Sequence, residues 1–113
     1  MTDPLSTNLP PGPFTYQVLV MPAEEGFEAV ALEMGQWGFG DTPEEAFEEL
    51  IGNVEVHVAD AVEQGQLELL DHPAPERYQV IARELRAGYL RAEPPPADRF
   101  TRTLPLPDVH RAA

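Results

Sequence analysis

Cysteine is missing from the 113 residues, and so is lysine. The first absence excludes disulfides, thiolate metal sites and cysteine nucleophiles. The second leaves seven arginines, at positions 77, 83, 86, 91, 99, 102 and 111, as the only permanent side-chain cations. Positive charge is therefore absent from residues 1–76, which carry 16 acids, whereas residues 77–113 set 7 arginines against 4 acids. An acidic body of this kind repels phosphate backbones, so no direct nucleic-acid binding is expected of residues 1–76. A basic protein is its natural complement, although acidic surfaces also serve solubility alone. No stretch reaches the roughly 18 apolar residues of a membrane span, and no basic-then-apolar signal opens the chain. A soluble cytoplasmic protein without a membrane partner is expected.

Phosphate loops, dinucleotide fingerprints and zinc patterns are absent too, and Ser6 stands alone in its segment. No catalytic residue, cofactor or metal is assigned. The one pairing with metal-like spacing is His57 with Asp60, three apart on a helix and joined by Glu55 or Glu63. Two ligands do not make a site, and a solvated polar face is the reading adopted. His72 and His110 have no partners suggested by spacing.

Hydrophobic periodicity is what the sequence does supply. Residues 1–13 carry four prolines and read as a flexible leader. Phe14 to Met21, FTYQVLVM, is a strand with Tyr16, Val18 and Val20 on one face and Leu19 and Met21 on the other, so cover is expected on both sides. The turn PAEEG leads to a second strand over Phe27 to Glu33, and Met34-Gly35 to a third, Gln36 to Phe39. Trp37 and Phe39 share a face of that strand and are read as core rather than as a stacking platform.

The stretch GFGDTPEEAFEEL, Gly38 to Leu50, then starts a helix. Thr42 is its cap, with Glu45 reaching back in a capping box and Pro43 at the first helical position. Glu44, Glu45, Glu48 and Glu49 complement the positive end of the helix dipole. Phe47, Leu50, Ile51, Val54, Val58, Ala61 and Val62 form the buried stripe, and Gly65 is the stop. Glu55, Asp60 and Glu63 have no such local reason. A second helix follows from Glu76 to about Ala92, lined by Tyr78, Ile81, Ala82, Leu85 and Tyr89 and ended by three prolines. Residues 93–113 read as a proline-rich extended tail, in which Phe100, Leu104 and Leu106 are suited to docking on the body or on a second copy.

The fold class expected is thus α+β: a three-stranded antiparallel meander followed by an amphipathic helix, with a second C-terminal helix and an extended tail. The single domain spans 14–92. FTYQVLVM, EEGFEAVALE and above all GDTPEEAFEEL, together covering much of residues 14–72, resemble the HicB-like antitoxin domain. Glu45-Ala46 and Gly65 stand at the places its pattern requires. Of the Pro-x-Leu-Pro-Gly-Cys-like segment that the family carries before its third strand, only Gly35 is kept. Many members add a DNA-binding module; here RTLPLPDVHRAA looks like the truncated start of a ribbon-helix-helix, too short to complete one.

The resemblance implies a non-catalytic module that sequesters a small basic HicA-like RNA-cleaving toxin. Glu44, Glu45, Glu48, Glu55 and Asp60 are the candidate partner-binding residues, and a homo-oligomer is expected. The alternative is a solitary homo-oligomeric structural or regulatory module with no toxin partner. A third reading, a diverged enzyme on a partial RNase H-like fold using Asp41, Asp60 or scattered glutamates, needs several carboxylates converging on Mg²⁺.

Overall fold

Apolar side chains on both faces of FTYQVLVM call for two covering layers, and the chain provides them. The computed structural model describes residues 8–10, 12, 14–94 and 96–107. Its elements run β1 (Thr15–Pro22), β2 (Phe27–Ala31), β3 (Gln36–Gly40), α1 (Pro43–Glu63), α2 (Glu76–Leu90) and β4 (Phe100–Pro105), with a 3₁₀ turn at Leu67–Leu70. The strands form one antiparallel sheet in the order β3-β2-β1-β4. On one face Tyr16, Val18, Val20, Ala29, Ala31 and Leu104 pack beneath Phe47, Leu50, Val54 and Val58 of α1. On the other, Leu19, Val30 and Leu32 meet Tyr78, Ala82 and Leu85 of α2. The sheet is the middle of three layers. Full burial of side chains such as Phe47 and Leu50 contributes about 1.5–3 kcal/mol each.

Local chemistry sets the turns. Ala23 N–H donates to the Gly26 carbonyl at 3.0 Å, and Gly26 takes the positive φ of 80° that closes the β1–β2 connection. A Cβ on Gly26 would run into the Gly40 carbonyl, and one on Gly38 into the backbone of Ala46 and Leu50. A Cβ on Gly40 would likewise meet the Ala46 backbone nitrogen, so both glycines of GFG bring backbones together and α1 lies directly on β3. Beyond α1, His57 Nε2–H donates to the Leu69 carbonyl at 3.0 Å and ties down the 3₁₀ turn. Residues 72–74 then pass the β2–β3 turn, with His72 N–H donating to Glu33 at 3.2 Å and Ala74 N–H to Leu32 at 2.9 Å. This passage carries the chain from one face of the sheet to the other.

The largest departure from expectation lies at the ends. The domain does not stop at 92. Residues 100–105 form β4, paired with β1 from Thr15↔Pro105 to Val20↔Phe100, and Leu104 enters the α1-side core. The arm docks on its own body. Its six residues alternate Phe100, Arg102 and Leu104 against Thr101 and Thr103, a pattern too short, and too hemmed in by prolines, to stand out. Asn8 and Leu9 of the leader also have partners: Leu9 N–H donates to the Thr103 carbonyl at 2.8 Å, and Asn8 Oδ1 accepts from Thr103 N–H at 3.1 Å. Of RTLPLPDVHRAA, read as the start of a ribbon-helix-helix, residues 102–105 belong to β4 and 108–113 lie outside the described residues. Helix α2 closes at Leu90 rather than Ala92, because Ala92 adopts a left-handed φ of 57° while Glu93 N–H donates back to Gly88 at 3.0 Å.

Both sheet edges are covered. On β4, Thr101 N–H donates to the Tyr89 hydroxyl at 3.3 Å, Asn8 and Leu9 engage Thr103, and Pro105 has no N–H. On β3, Asn53 Nδ2 donates to the Trp37 carbonyl at 2.7 Å. Cover of this sort blocks open-ended strand addition.

Candidate protein-binding surface

The candidate surface starts at the cap of α1. Thr42 is extended (φ −127°, ψ 159°), and its Oγ1 accepts from Glu45 N–H at 3.1 Å. Glu45 Oε2 in turn accepts from Asp41 N–H at 3.1 Å, one residue before the cap. The capping box is present in this form, and Glu45 is engaged in it. The other acids assigned to partner binding, Glu44, Glu48, Glu55 and Asp60, stand exposed along the helix. At about 100° per residue, Glu44, Glu48 and Glu55 share one stripe, and Asp60 lies on the far flank with Glu49. Glu49 and Glu63 are exposed too and extend the same face. Between these flanks sit Gly52, Val56 and Ala59, and Val56 is 71% exposed. Val56 breaks the apolar stripe, which is the signal that it faces solvent.

No ion pair reaches this face among the described residues. The three present join Arg83 to Glu76 at 2.5 Å, Arg91 to Glu93 at 2.6 Å and Arg99 to Asp98 at 3.2 Å. Arg77 donates to its neighbour Tyr78 and lies over the ring, 4.6 Å from its centroid. Arg86 bonds Gln17 Oε1, and Arg102 bonds the Thr101 carbonyl while covering Phe100. The described arginines are thus committed to α2, β4 and their surroundings, and none of them forms an ion pair with a carboxylate of α1.

The Arg91–Glu93 and Arg99–Asp98 contacts raise Arg91 and lower Glu93 and Asp98, whereas burial is the leading cause at two other groups. Burial, reinforced by the charges of Glu55 and Glu33, pushes the Tyr16 phenol up to about 12. Shielding where it meets β1 raises the Glu33 carboxyl, against the pull of Gln17 N–H, which donates to it at 2.8 Å, and of Arg86.

The positions considered for metal or catalysis do not come together. Among the described residues no group of three or more His, Cys, Asp or Glu side chains is placed to hold a metal ion, and His57 spends Nε2 on Leu69. A cavity of about 490 Å³ opens beside α2, lined by Ile81, Leu85 and Tyr89 with Pro94 and Pro96. Of its three carboxylates, Glu84, Glu93 and Asp98, the last two are paired with Arg91 and Arg99. No helix among the described residues is long and apolar enough to cross a membrane. No family model matches the chain, and no match is found among curated proteins or solved structures.

Proposed function

We propose that this protein is a non-catalytic binding module of HicB-like type, which sequesters a small basic HicA-like RNA-cleaving toxin by covering its RNA-binding face. One observation carries the reading: among the described residues the exposed acids of α1 have no arginine partners, and the described arginines are engaged elsewhere. A surface left uncompensated in this way offers a row of negative charge to a protein built to bind RNA. Glu44, Glu48, Glu55 and Asp60, with Glu49 and Glu63, make the contact, and Glu45 with Thr42 holds the helix start in place. Charge complementarity accelerates encounter and excludes wrong partners, and apolar contacts within the patch hold the complex.

The test is co-expression with the product of the adjacent small reading frame, followed by purification through a tag on either protein. Co-purification of a basic partner that loses its RNase activity in the complex is the expected result. No co-purifying protein, together with a stable homo-oligomer on sizing, overturns the proposal and leaves a solitary module.

A further inference from the structure

The two faces of the sheet are not equally covered. Helix α2 shields the row that contains Val30 and Leu19, whereas in the next row, Phe39–Glu28–Met21, Met21 packs against the edge of that cluster and Phe39 stays outside it. Register places these three side by side: Phe39 opposite Glu28 and Glu28 opposite Met21. Phe39 is 53% exposed, although it is a large aromatic in the middle of a strand. Met21 and Trp37 are only partly buried, and Trp37 rests edge-on against Tyr78 with ring centroids 5.9 Å apart. An apolar patch rimmed by polar residues is the kind of surface that interaction sites use.

The electrostatics of this corner select the occupant. Glu28 sits between two apolar side chains, and Glu24 and Glu25 occupy the adjoining turn. That turn is pressed against Gly40 and Asp41, since a side chain on Gly26 would collide with both. Among the described residues, none of Glu24, Glu25, Glu28 and Asp41 takes part in an ion pair. A second copy of the chain would bring the same acids against them. We infer that the Phe39–Glu28–Met21 row is the anchor point for a basic protein partner, taking an arginine of that partner with its guanidinium on the Phe39 ring and Glu28, and an adjacent apolar side chain against Met21. The inference rests on the reading of a basic partner and adds a second contact for it, on the face of the sheet opposite α1. Arginine over an aromatic face beside a carboxylate combines cation–π attraction with a charge-assisted hydrogen bond.

Trp37 is the only tryptophan in the chain and lies on the same face, so its emission reports on this site. The probe is a tryptophan-free peptide alternating arginine and leucine, titrated into the full chain; the same peptide with glutamate for arginine is the control. Saturable binding with a shift in Trp37 emission is expected, and Phe39→Ser should weaken it about tenfold, with Glu28→Gln in the same direction. Reversals on the helix, Glu48→Lys and Glu55→Lys, should slow association yet leave the emission change at saturation intact. An unchanged Trp37 signal in the parent chain, or parental affinity in both row variants, overturns the inference. If Phe39→Ser loses its far-UV dichroism, Glu28→Gln decides. The α1 reading fails separately, by helix reversals that leave the association rate untouched.

Discussion

Thr42 shows how much a single hydroxyl settles. Its Oγ1 accepts from Glu45 N–H, and the Glu45 carboxylate accepts from Asp41 N–H. Thr42→Ala should therefore cost about 1 kcal/mol, read as a lower urea midpoint with an unchanged slope. Glu45→Ala should weaken the same helix start, and the two losses should not add, because both act through one cap. Tyr16 provides a second residue-scale test. Its phenol is raised to about 12 in the folded chain, against about 10 when exposed. Below pH 10 both states keep the proton and nothing is lost. As pH rises from 10 to 12 the unfolded chain ionises first, so stability falls across that window. A tyrosinate absorbance step near pH 12 that disappears in Tyr16→Phe would verify the assignment. At neutral pH that variant should unfold close to the parent.

At the scale of elements, much of the architecture was legible and the reasons are local. The strands β1 to β3 and the cap and stop of α1 follow from alternation, from Thr42-Pro43 and from Gly65, all short-range signals. Each lies within a residue or two of its expected bounds. The end of α2 was misplaced because Ala92, not glycine, takes the left-handed position. Ala92→Gly should accordingly stabilise the protein by about 1 kcal/mol, measured by denaturant midpoint. The strand β4 was hidden for a different reason: its partner is β1, at the other end of the chain, and no window of sequence contains both. Of the candidate surface, the acids of α1 could be read from helical period. The exposure of Phe39 could not, since it depends on where α2 crosses the sheet. Limited proteolysis distinguishes the two views of the C-terminal region. A resistant fragment should retain β4 through Pro105, and truncation before Phe100 should leave one flank of β1 unpaired and the protein unfolded or aggregated. Survival of a stable species ending at 92 would contradict the sheet order.

The whole molecule is electrically lopsided in space as well as in sequence. The carboxylates of α1 have no ion pairs among the described residues, and the three ion pairs present lie on α2 and in the segment that follows it. Association with a basic partner should therefore slow several-fold as salt rises to the physiological range, where the Debye length falls to about 8 Å. Stopped-flow measurement of Glu48→Lys and Glu55→Lys should show the effect in the association rate and little in dissociation. The isolated protein should not retain duplex DNA or RNA at that salt. Tight, salt-sensitive retention would contradict occlusion by an acidic face.

The pairing of β1 with β4 also has a consequence in time. Some eighty residues separate Val20 from its neighbour Phe100, so a ribosome adding roughly 5–20 residues per second needs about 4–16 s to deliver the second strand after the first. Throughout that interval the nascent chain can complete the β1–β2–β3 meander and lay α1 on it, but one flank of β1 has no hydrogen-bonding neighbour. On a crowded polysome the next nascent copy displays the same vacancy, and the β4 that emerges first can fill either one. Slow, well-spaced translation thus favours closure within one chain, and rapid synthesis on one message favours exchange of the last strand between two.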